Sequence, residues 1–169
     1  MKARKMMKNI VLIGMPGAGK STIGVLLAKS MLYSFVDTDL LIQNACDKSL
    51  CDIIDESGTD AFLKTENDVI CANNFDRCVI ATGGSAVYGE EAMAKLKADG
   101  TVVYLNLPLK EIERRLGDIH TRGVAMKNGT TVAELYNERK ALYEKYADIT
   151  LDCDGLTAEQ CVDRIISLL

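Results

Sequence analysis

The stretch GMPGAGKS at residues 14–21 decides the fold, because it matches the phosphate-binding pattern G-x-x-x-x-G-K-[ST] at every fixed position. It follows the apolar run 10–13, part of a predicted strand over 9–13, and leads into a helix predicted over 20–31. Glycines let such a loop curl until several backbone N–H groups point at one phosphate, where the following helix N-terminus adds positive potential. The stretch therefore predicts a nucleotide-binding loop. The alternative is a glycine-rich turn that binds nothing.

The pattern also assigns a role to the side chains of this loop. Lys20 is expected to reach the β- and γ-phosphates of the nucleotide, and the Ser21 hydroxyl is a predicted Mg²⁺ ligand. Thr22, one residue further into the helix, is expected to lie near the α-phosphate. The predicted nucleotide-binding residues of the loop are Gly14, Gly17, Ala18, Gly19, Lys20, Ser21 and Thr22.

Outside the loop, short β-rich apolar runs alternate with helical patterns. The strands are predicted over residues 9–13, 33–36, 78–82, 101–105 and 149–151, and they lack strict polar alternation, as strands of a buried parallel sheet do. The helices are predicted over 20–31, 59–73, 90–98, 108–116, 132–146 and 157–168, with Pro108 in a first helical turn. This alternation predicts a single α/β domain over residues 1–169 with a central parallel sheet.

Two segments interrupt the alternation. Residues 37–75 show two or three helical patterns and no convincing strand, which predicts a helical region beside the sheet. Residues 117–130 contain three glycines, and their composition favours a mobile loop over a packed element.

Composition excludes several classes of protein. Apolar residues make up 48% of the 169 and charged residues 26%, which is typical of a globular domain. The net charge of −4 argues against nucleic acid as the main partner, and the apolar run 10–13 is far too short to span a membrane. The six cysteines form no Cys-x-x-Cys pair and one histidine accompanies them, so we expect reduced thiols in a cytoplasmic protein.

Two further motifs follow predicted strands. Asp37 and Asp39 stand where the second strand ends and would share a face if the strand continued, one toward a metal and the other toward an acceptor hydroxyl. Asp39 could equally be a helix N-cap. Gly83 and Gly84 follow the third strand, where glycine lets the backbone approach a ligand closely, although a plain turn explains them equally well.

Taken in order along the chain, these motifs resemble the shikimate kinase family. The resemblance includes the loop at 14–21, the Asp-x-Asp at 37 and 39, the helix Gly58…Phe62…Glu66, the strand end Thr82-Gly83-Gly84, Arg122, and the segment Glu138-Arg139…Leu142-Tyr143…Ala147-Asp148. It implies a P-loop kinase fold with strand order 2-3-1-4-5, a helical substrate region at about 37–75, and a lid at about 117–130 that closes over ATP.

The resemblance also implies roles for individual residues. Asp39 would contact the substrate hydroxyls and act as the base, while Asp37 would sit near Mg²⁺ through water. Gly83 and Gly84 would contact the substrate through their backbones. Three arginines complete the implied site: Arg139 on the substrate carboxylate, Arg122 over the phosphates on lid closure, and Arg115 beside the adenine. Without the resemblance, each arginine would fit a solvated helix face.

The acceptor half of the pattern departs from the family. Leu63 replaces the arginine that binds the substrate carboxylate in the family. Lys64 is adjacent, but one helical step turns its side chain by about 100°. Ser85 replaces a third glycine, and Gly123 replaces the proline that follows the lid arginine.

Three functions are therefore open. The first is transfer of the ATP γ-phosphate to the 3-hydroxyl of shikimate, and we expect such an enzyme to be a monomer that binds neither nucleic acid nor membranes. The second is a related kinase whose acceptor lacks a carboxylate or presents it differently, which Leu63 would suit. The third is a nucleotide-binding regulatory module, against which Lys20, Ser21, Asp37 and Asp39 count as a catalytic set.

Overall fold

The computed structural model describes residues 8–117 and 123–169 of the chain. They contain one parallel five-stranded sheet with the order β2-β3-β1-β4-β5, which confirms the predicted topology. The strands are β1 Asn9–Ile13, β2 Ser34–Asp37, β3 Cys78–Ala81, β4 Gly100–Asn106 and β5 Ile149–Asp152. The predicted strands match these within two residues at each end.

Helices flank the sheet, and three of them, α2 to α4, lie in the predicted helical region. Pro108 is the N-cap of α6, so the helix begins at Leu109, one residue after the predicted start, and the prediction that Pro108 lies in the first turn is wrong. The other helix ends lie within one residue of the predictions. The helices are α1 Lys20–Met31, α2 Thr38–Cys46, α3 Leu50–Ser57, α4 Thr59–Ala72, α5 Glu90–Asp99, α6 Leu109–Leu116, α7 Val132–Tyr146 and α8 Ala158–Leu168, with a short 3₁₀ helix at Ala86–Tyr88.

The register of the central strands positions the site. β1 is buried along its whole length because it pairs with β3 on one side and β4 on the other. Ala81 of β3 pairs with both Leu12 of β1 and Asp37 of β2. The carboxyl ends of these three strands therefore lie at one level, as in other open α/β sheets that bind ligands there.

A small second core holds the helical region together. Ile42, Ile53, Phe62 and Ala125 are buried against one another, which joins α2, α3 and α4 to the segment 123–130. The Thr59 hydroxyl adds a hydrogen bond of 3.2 Å to the Met126 carbonyl. In the part of the chain that the structure describes, no helix is long and apolar enough to cross a membrane.

Candidate functional site

The loop between β1 and α1 has the backbone shape that phosphate binding requires. Gly14, Gly17 and Gly19 have positive φ angles of 148°, 81° and 94°, which L side chains rarely adopt. At Gly14 a Cβ would also lie 2.8 Å from the Leu105 carbonyl oxygen. No side chain caps the N-terminus of α1. Its first N–H groups are therefore available to an anion.

Lys20 is buried in this loop and is held by it. Its Nζ donates hydrogen bonds of 2.7 Å to the Gly14 carbonyl and 2.8 Å to the Met15 carbonyl. The pKa of Lys20 is lowered to about 8, chiefly by burial; Asp39 opposes this shift, and Arg139 acts in the same direction as burial. An incoming phosphate would favour the charged ammonium, because it supplies the negative charge that this environment lacks.

Asp37 joins the phosphate loop to α2. Its Oδ2 accepts a hydrogen bond of 2.8 Å from the Ser21 hydroxyl, and its Oδ1 accepts one of 2.9 Å from the Asp39 backbone N–H. Asp37 is therefore the N-cap of α2, and the interpretation of Asp39 as the cap is wrong. The expectation that the two carboxylates share a strand face is also wrong, because the helix begins between them, at Thr38.

Ser21 and Asp37 have the donor chemistry of a Mg²⁺ site. A hydroxyl and a carboxylate in contact are hard oxygen ligands, which this ion prefers. Among residues 8–117 and 123–169, no group of three or more His, Cys, Asp or Glu side chains could hold a metal ion. The pair therefore fits an ion that takes most of its ligands from nucleotide phosphates and water.

Asp39 and Glu66 meet at the backbone of Gly83. A Cβ at Gly83 would lie 2.6 Å from Asp39 Oδ1 and 2.7 Å from Glu66 Oε1, so only glycine fits there. The Thr38 hydroxyl accepts a hydrogen bond of 3.1 Å from the Gly83 N–H, which holds the glycine turn against α2. Burial and the nearby Asp37 raise the pKa of Asp39, and Lys20 opposes them. The arrangement places two carboxyl groups beside the buried backbone of Gly83.

Glu66 is a buried carboxyl group of this site to which the sequence analysis assigned no role. It is 1% exposed, and the Ser85 hydroxyl donates to its Oε2 at 2.6 Å, while its Oε1 has no hydrogen-bond partner. Burial raises the pKa of Glu66 to about 7. One signal existed in the sequence: Glu66 follows Phe62 by four residues, and both therefore face inward from α4.

Arg139 of α7 supplies a buried positive charge. It is 1% exposed, and its Nη2 donates to the Ala125 carbonyl at 2.5 Å, while its Nε has no partner. The guanidinium lies 5.5 Å from the centre of the Tyr88 ring. A Cβ at Gly84 would lie 2.8 Å from Arg139 Nη1, so glycine is needed at this contact. A buried cation with an open donor favours an anionic ligand.

These groups surround one cavity of about 380 Å³. Lys20 and Ser21 form its phosphate end, and Asp39 and Arg139 lie beyond them. The structure thus brings Lys20, Ser21 and Thr22 of the predicted phosphate site together with Asp39, Gly83, Gly84 and Arg139 of the predicted acceptor site. The predicted Gly14, Ala18 and Asp37 do not line this cavity. The cavity is lined by Pro16, Gly17, Gly19, Lys20, Ser21, Thr22, Asp39, Phe62, Thr82, Gly83, Gly84, Ser85, Gly123, Val124, Ala125 and Arg139.

Leu63 does not line this cavity. It lines an adjoining one of about 240 Å³, together with Tyr88, Lys127 and Glu138, and Ala125 lies on the wall of both. Lys64 is 78% exposed and pairs with Asp68 at 2.5 Å. Lys64 therefore points away and does not replace the missing arginine.

Arg115, which the resemblance places beside the adenine, lies next to the phosphate loop. Its Nη1 donates to the Gly17 carbonyl at 3.3 Å. It also lines a cavity of about 250 Å³ together with Gly19, Thr22 and Cys153. This cavity has the size and position for a nucleotide base beyond the phosphates. The predicted lid arginine, Arg122, lies outside the described residues.

Replacing Glu66 by glutamine tests its unusual ionisation. A folded pKa of about 7 against 4.5 for the free side chain means that the folded state binds the proton more tightly. The ionisation of Glu66 therefore destabilises the folded protein as the pH rises from about 4.5 through about 7. We expect the stability advantage of Glu66→Gln over wild type to grow by about 2–3 kcal/mol between about pH 4 and pH 8. Denaturant unfolding across pH measures it, and a constant difference would contradict the assignment.

Comparisons with known proteins agree with this geometry. The protein-family model for shikimate kinase matches residues 16–169. The shikimate kinases of Thermodesulfovibrio yellowstonii and Persephonella marina are 37% and 36% identical to the chain over 163 residues, which are 95% of this chain and 94% and 98% of theirs. The structure of an Acinetobacter baumannii shikimate kinase in complex with shikimate has a TM-score of 0.87 at 28% identity, over 99% of this chain and 95% of that one. An Aquifex aeolicus shikimate kinase gives a TM-score of 0.79 at 31% identity, over 94% of each chain.

Proposed function

The chain belongs to the shikimate kinase family, and from that premise we propose that it transfers the γ-phosphate of ATP to the 3-hydroxyl of shikimate. The observation that carries the proposal is the single cavity in which Lys20 and the glycine loop face Asp39 and Arg139. The phosphate donor and a carboxylate-bearing polyol would meet between these two groups of residues.

Positioning and charge stabilisation account for the proposed transfer. The N–H groups at the start of α1 would hold the phosphates, and Lys20 would exchange its two carbonyl partners for phosphoryl oxygens. Ser21 and Asp37 would hold Mg²⁺, which when bound neutralises charge on the β- and γ-phosphates. The raised pKa of Asp39 favours its role as the base that orients the acceptor hydroxyl and accepts its proton late in the reaction.

The acceptor would be held by a small set of buried groups. Arg139 offers its free Nε and its Nη1 to the shikimate carboxylate. Gly83 and Gly84 leave room for the acceptor to contact the backbone, and the Tyr143 hydroxyl fixes this turn by donating to the Gly84 carbonyl at 2.7 Å. Glu66 Oε1 lies unpartnered beside Gly83, which lines the cavity, and it would accept a hydrogen bond from a second hydroxyl placed there.

Several wider features are part of the same proposal. We propose that residues 117–130 form the lid and that Arg122 enters over the phosphates when it closes. Met126 is hydrogen-bonded to Thr59, and Ala125 is hydrogen-bonded to Arg139. These contacts support a lid whose position depends on the bound acceptor. We also propose a cytoplasmic monomer without nucleic-acid or membrane partners; the six free thiols support the cytoplasmic location.

A coupled assay of ADP release against shikimate and a panel of other polyols and hydroxy acids tests the function. Turnover that depends on shikimate supports the proposal. Turnover with another acceptor alone would favour the second function, which Leu63 suggests. ATP binding without turnover on any acceptor would point to a regulatory module.

We expect Leu63→Arg to lower the KM for shikimate by at least about tenfold, from a high wild-type value. A charge-assisted hydrogen bond to the carboxylate contributes roughly 1.5–3 kcal/mol. The adjoining cavity offers a route, because Ala125 borders both cavities. Glu138 and Asp60, which line it, would partner the new guanidinium.

The control for this substitution is Lys64→Arg, which places the same group on the exposed side of α4. Its shikimate kinetics should match wild type. A thermal melt of Leu63→Arg accompanies the assay, because Leu63 also packs near Phe62. A stable variant with unchanged kinetics would refute the lost-contact argument. A wild type with a low micromolar KM would mean that other groups, such as Lys127 of the same cavity, hold the carboxylate.

A further inference from the structure

We propose that Ser85 is a positioning residue for the acceptor: its hydroxyl anchors one oxygen of Glu66 so that the other faces the acceptor hydroxyls beside Gly83. This inference rests on the proposed function, because the acceptor is taken to occupy the cavity between Asp39 and Arg139. Ser85 itself lines that cavity. Its role in the proposal is exerted through Glu66.

The geometry around Glu66 carries the inference. Ser85 and Glu66 are both buried, and their hydrogen bond of 2.6 Å joins the end of the glycine turn to α4. The opposite oxygen, Oε1, has no partner and lies where a Cβ at Gly83 would approach it to 2.7 Å. An unpartnered buried carboxylate oxygen carries a large desolvation penalty, which a ligand hydroxyl donated to it would relieve.

The composition of this site explains why a serine is needed. Leu63 brings no cation beside Glu66, and Lys64 pairs with Asp68 on the exposed side of α4. Within the described ranges, Ser85 provides the side-chain hydrogen bond that fixes the rotation of the Glu66 carboxyl. A glycine at this position, as in the family pattern, would offer no donor side chain. Ser85 thus compensates in part for the arginine that Leu63 replaces.

The charged surroundings show what Glu66 would do without this anchor. Asp39 on α2 repels the Glu66 carboxylate, while Lys20 on α1 and Arg139 on α7 attract it. Tyr143 of α7 also interacts electrostatically with the Glu66 carboxylate. Without the serine hydroxyl, the carboxyl would be free to rotate, and Oε1 would no longer be held toward the acceptor. The pKa of Glu66 would also rise, because a hydrogen bond to the ionised form is lost.

The test compares Ser85→Ala with wild type in shikimate-dependent turnover across pH. We expect the KM for shikimate to rise about tenfold, with the KM for ATP changing less than about twofold. The pH midpoint of kcat/KM for shikimate, which should lie near the pKa of Glu66, is expected to move upward by about one unit. Ser85→Thr, which restores a hydroxyl, should return both values toward wild type.

Thr65→Ala is the matched control, because it removes a hydroxyl from α4 that donates to the Ala61 carbonyl away from the cavity. It should change neither value. An unshifted pH midpoint in Ser85→Ala would overturn the proposal, as would a threonine variant that behaves like the alanine variant. An equal fall in kcat/KM for shikimate and for ATP would also overturn it, since that is the signature of a structural role.

A second readout separates this proposal from the proposed function. Unfolding of wild type and Ser85→Ala is measured at about pH 5 and pH 8, without any acceptor. If Ser85 stabilises the ionised Glu66, the alanine variant loses more stability at the higher pH, and equal losses would overturn the anchor. Should wild type fail to use shikimate, the function is refuted, while this difference still decides whether Ser85 anchors Glu66. Should Ser85→Ala not fold, Ser85→Gly takes its place in both measurements.

Discussion

Lys20→Ala is expected to reduce phosphate transfer to shikimate by at least about 10²- to 10³-fold while the protein remains folded. The ammonium is the one side-chain cation that the phosphate loop buries beside its own glycines, where it holds the Gly14 and Met15 carbonyls. In the reaction it would stabilise charge that spreads over the transferring phosphoryl oxygens. That stabilisation is large because Lys20 is buried, where charges are weakly screened.

The fold should tolerate this substitution. Burial lowers the pKa of Lys20 to about 8, which means that the unliganded protein disfavours the charged ammonium. Lys29→Ala, an exposed lysine in the last turn of the same helix, is the matched control and should leave turnover unchanged. Initial rates in the coupled assay and a thermal melt measure both variants. Retention of a tenth of the wild-type kcat by Lys20→Ala would contradict the assigned role.

Asp39→Asn is expected to lower kcat by about 10²- to 10⁴-fold and to change the KM for ATP far less. The amide keeps the shape of the carboxylate but cannot accept the proton of the acceptor hydroxyl. Asp39 lies beside Gly83 in the acceptor half of the cavity, whereas Asp37 contacts Ser21 in the phosphate half. The loss should therefore appear in the chemical step, and single-turnover measurements would locate it there.

The control for Asp39 is Asp47→Asn, the same chemical change at the other end of α2. Asp47 is the C-cap of that helix with a φ of 52°, a conformation that asparagine also adopts readily. Its kinetics should match wild type. If Asp39→Asn instead raises the KM for ATP with kcat preserved, Asp39 belongs to the nucleotide site and another group orients the acceptor.

Much of the fold could be predicted because its signals are local. The glycines at 14, 17 and 19 adopt positive φ angles that the spacing of the motif already requires. The strand over 9–13 was predicted to the residue, since a run of apolar residues buried on both faces needs no knowledge of its neighbours. Strand order followed from the resemblance and was confirmed.

The acceptor site was harder to predict, because it depends on how separate elements face one another. Phe62 and Leu63 are adjacent in sequence, yet one lines the main cavity and the other an adjoining one, since a helical step of about 100° separates their directions. Asp37 and Asp39 likewise diverge because a helix begins between them. No local pattern distinguishes these outcomes, which depend on the packing of α2 and α4 against the sheet.

The sequence by itself therefore determined the phosphate loop, the alternating α/β order and the residue types available for catalysis. Only the tertiary structure decided that Glu66 has one anchored oxygen and one open oxygen, and that Arg139 keeps a free donor in the cavity. The physical reason is the range of the interactions. Loop geometry is set by neighbouring residues, whereas Glu66 meets Ser85 across 19 positions and Arg139 meets Ala125 across 14. Such partners are chosen by packing between elements, which no single segment encodes.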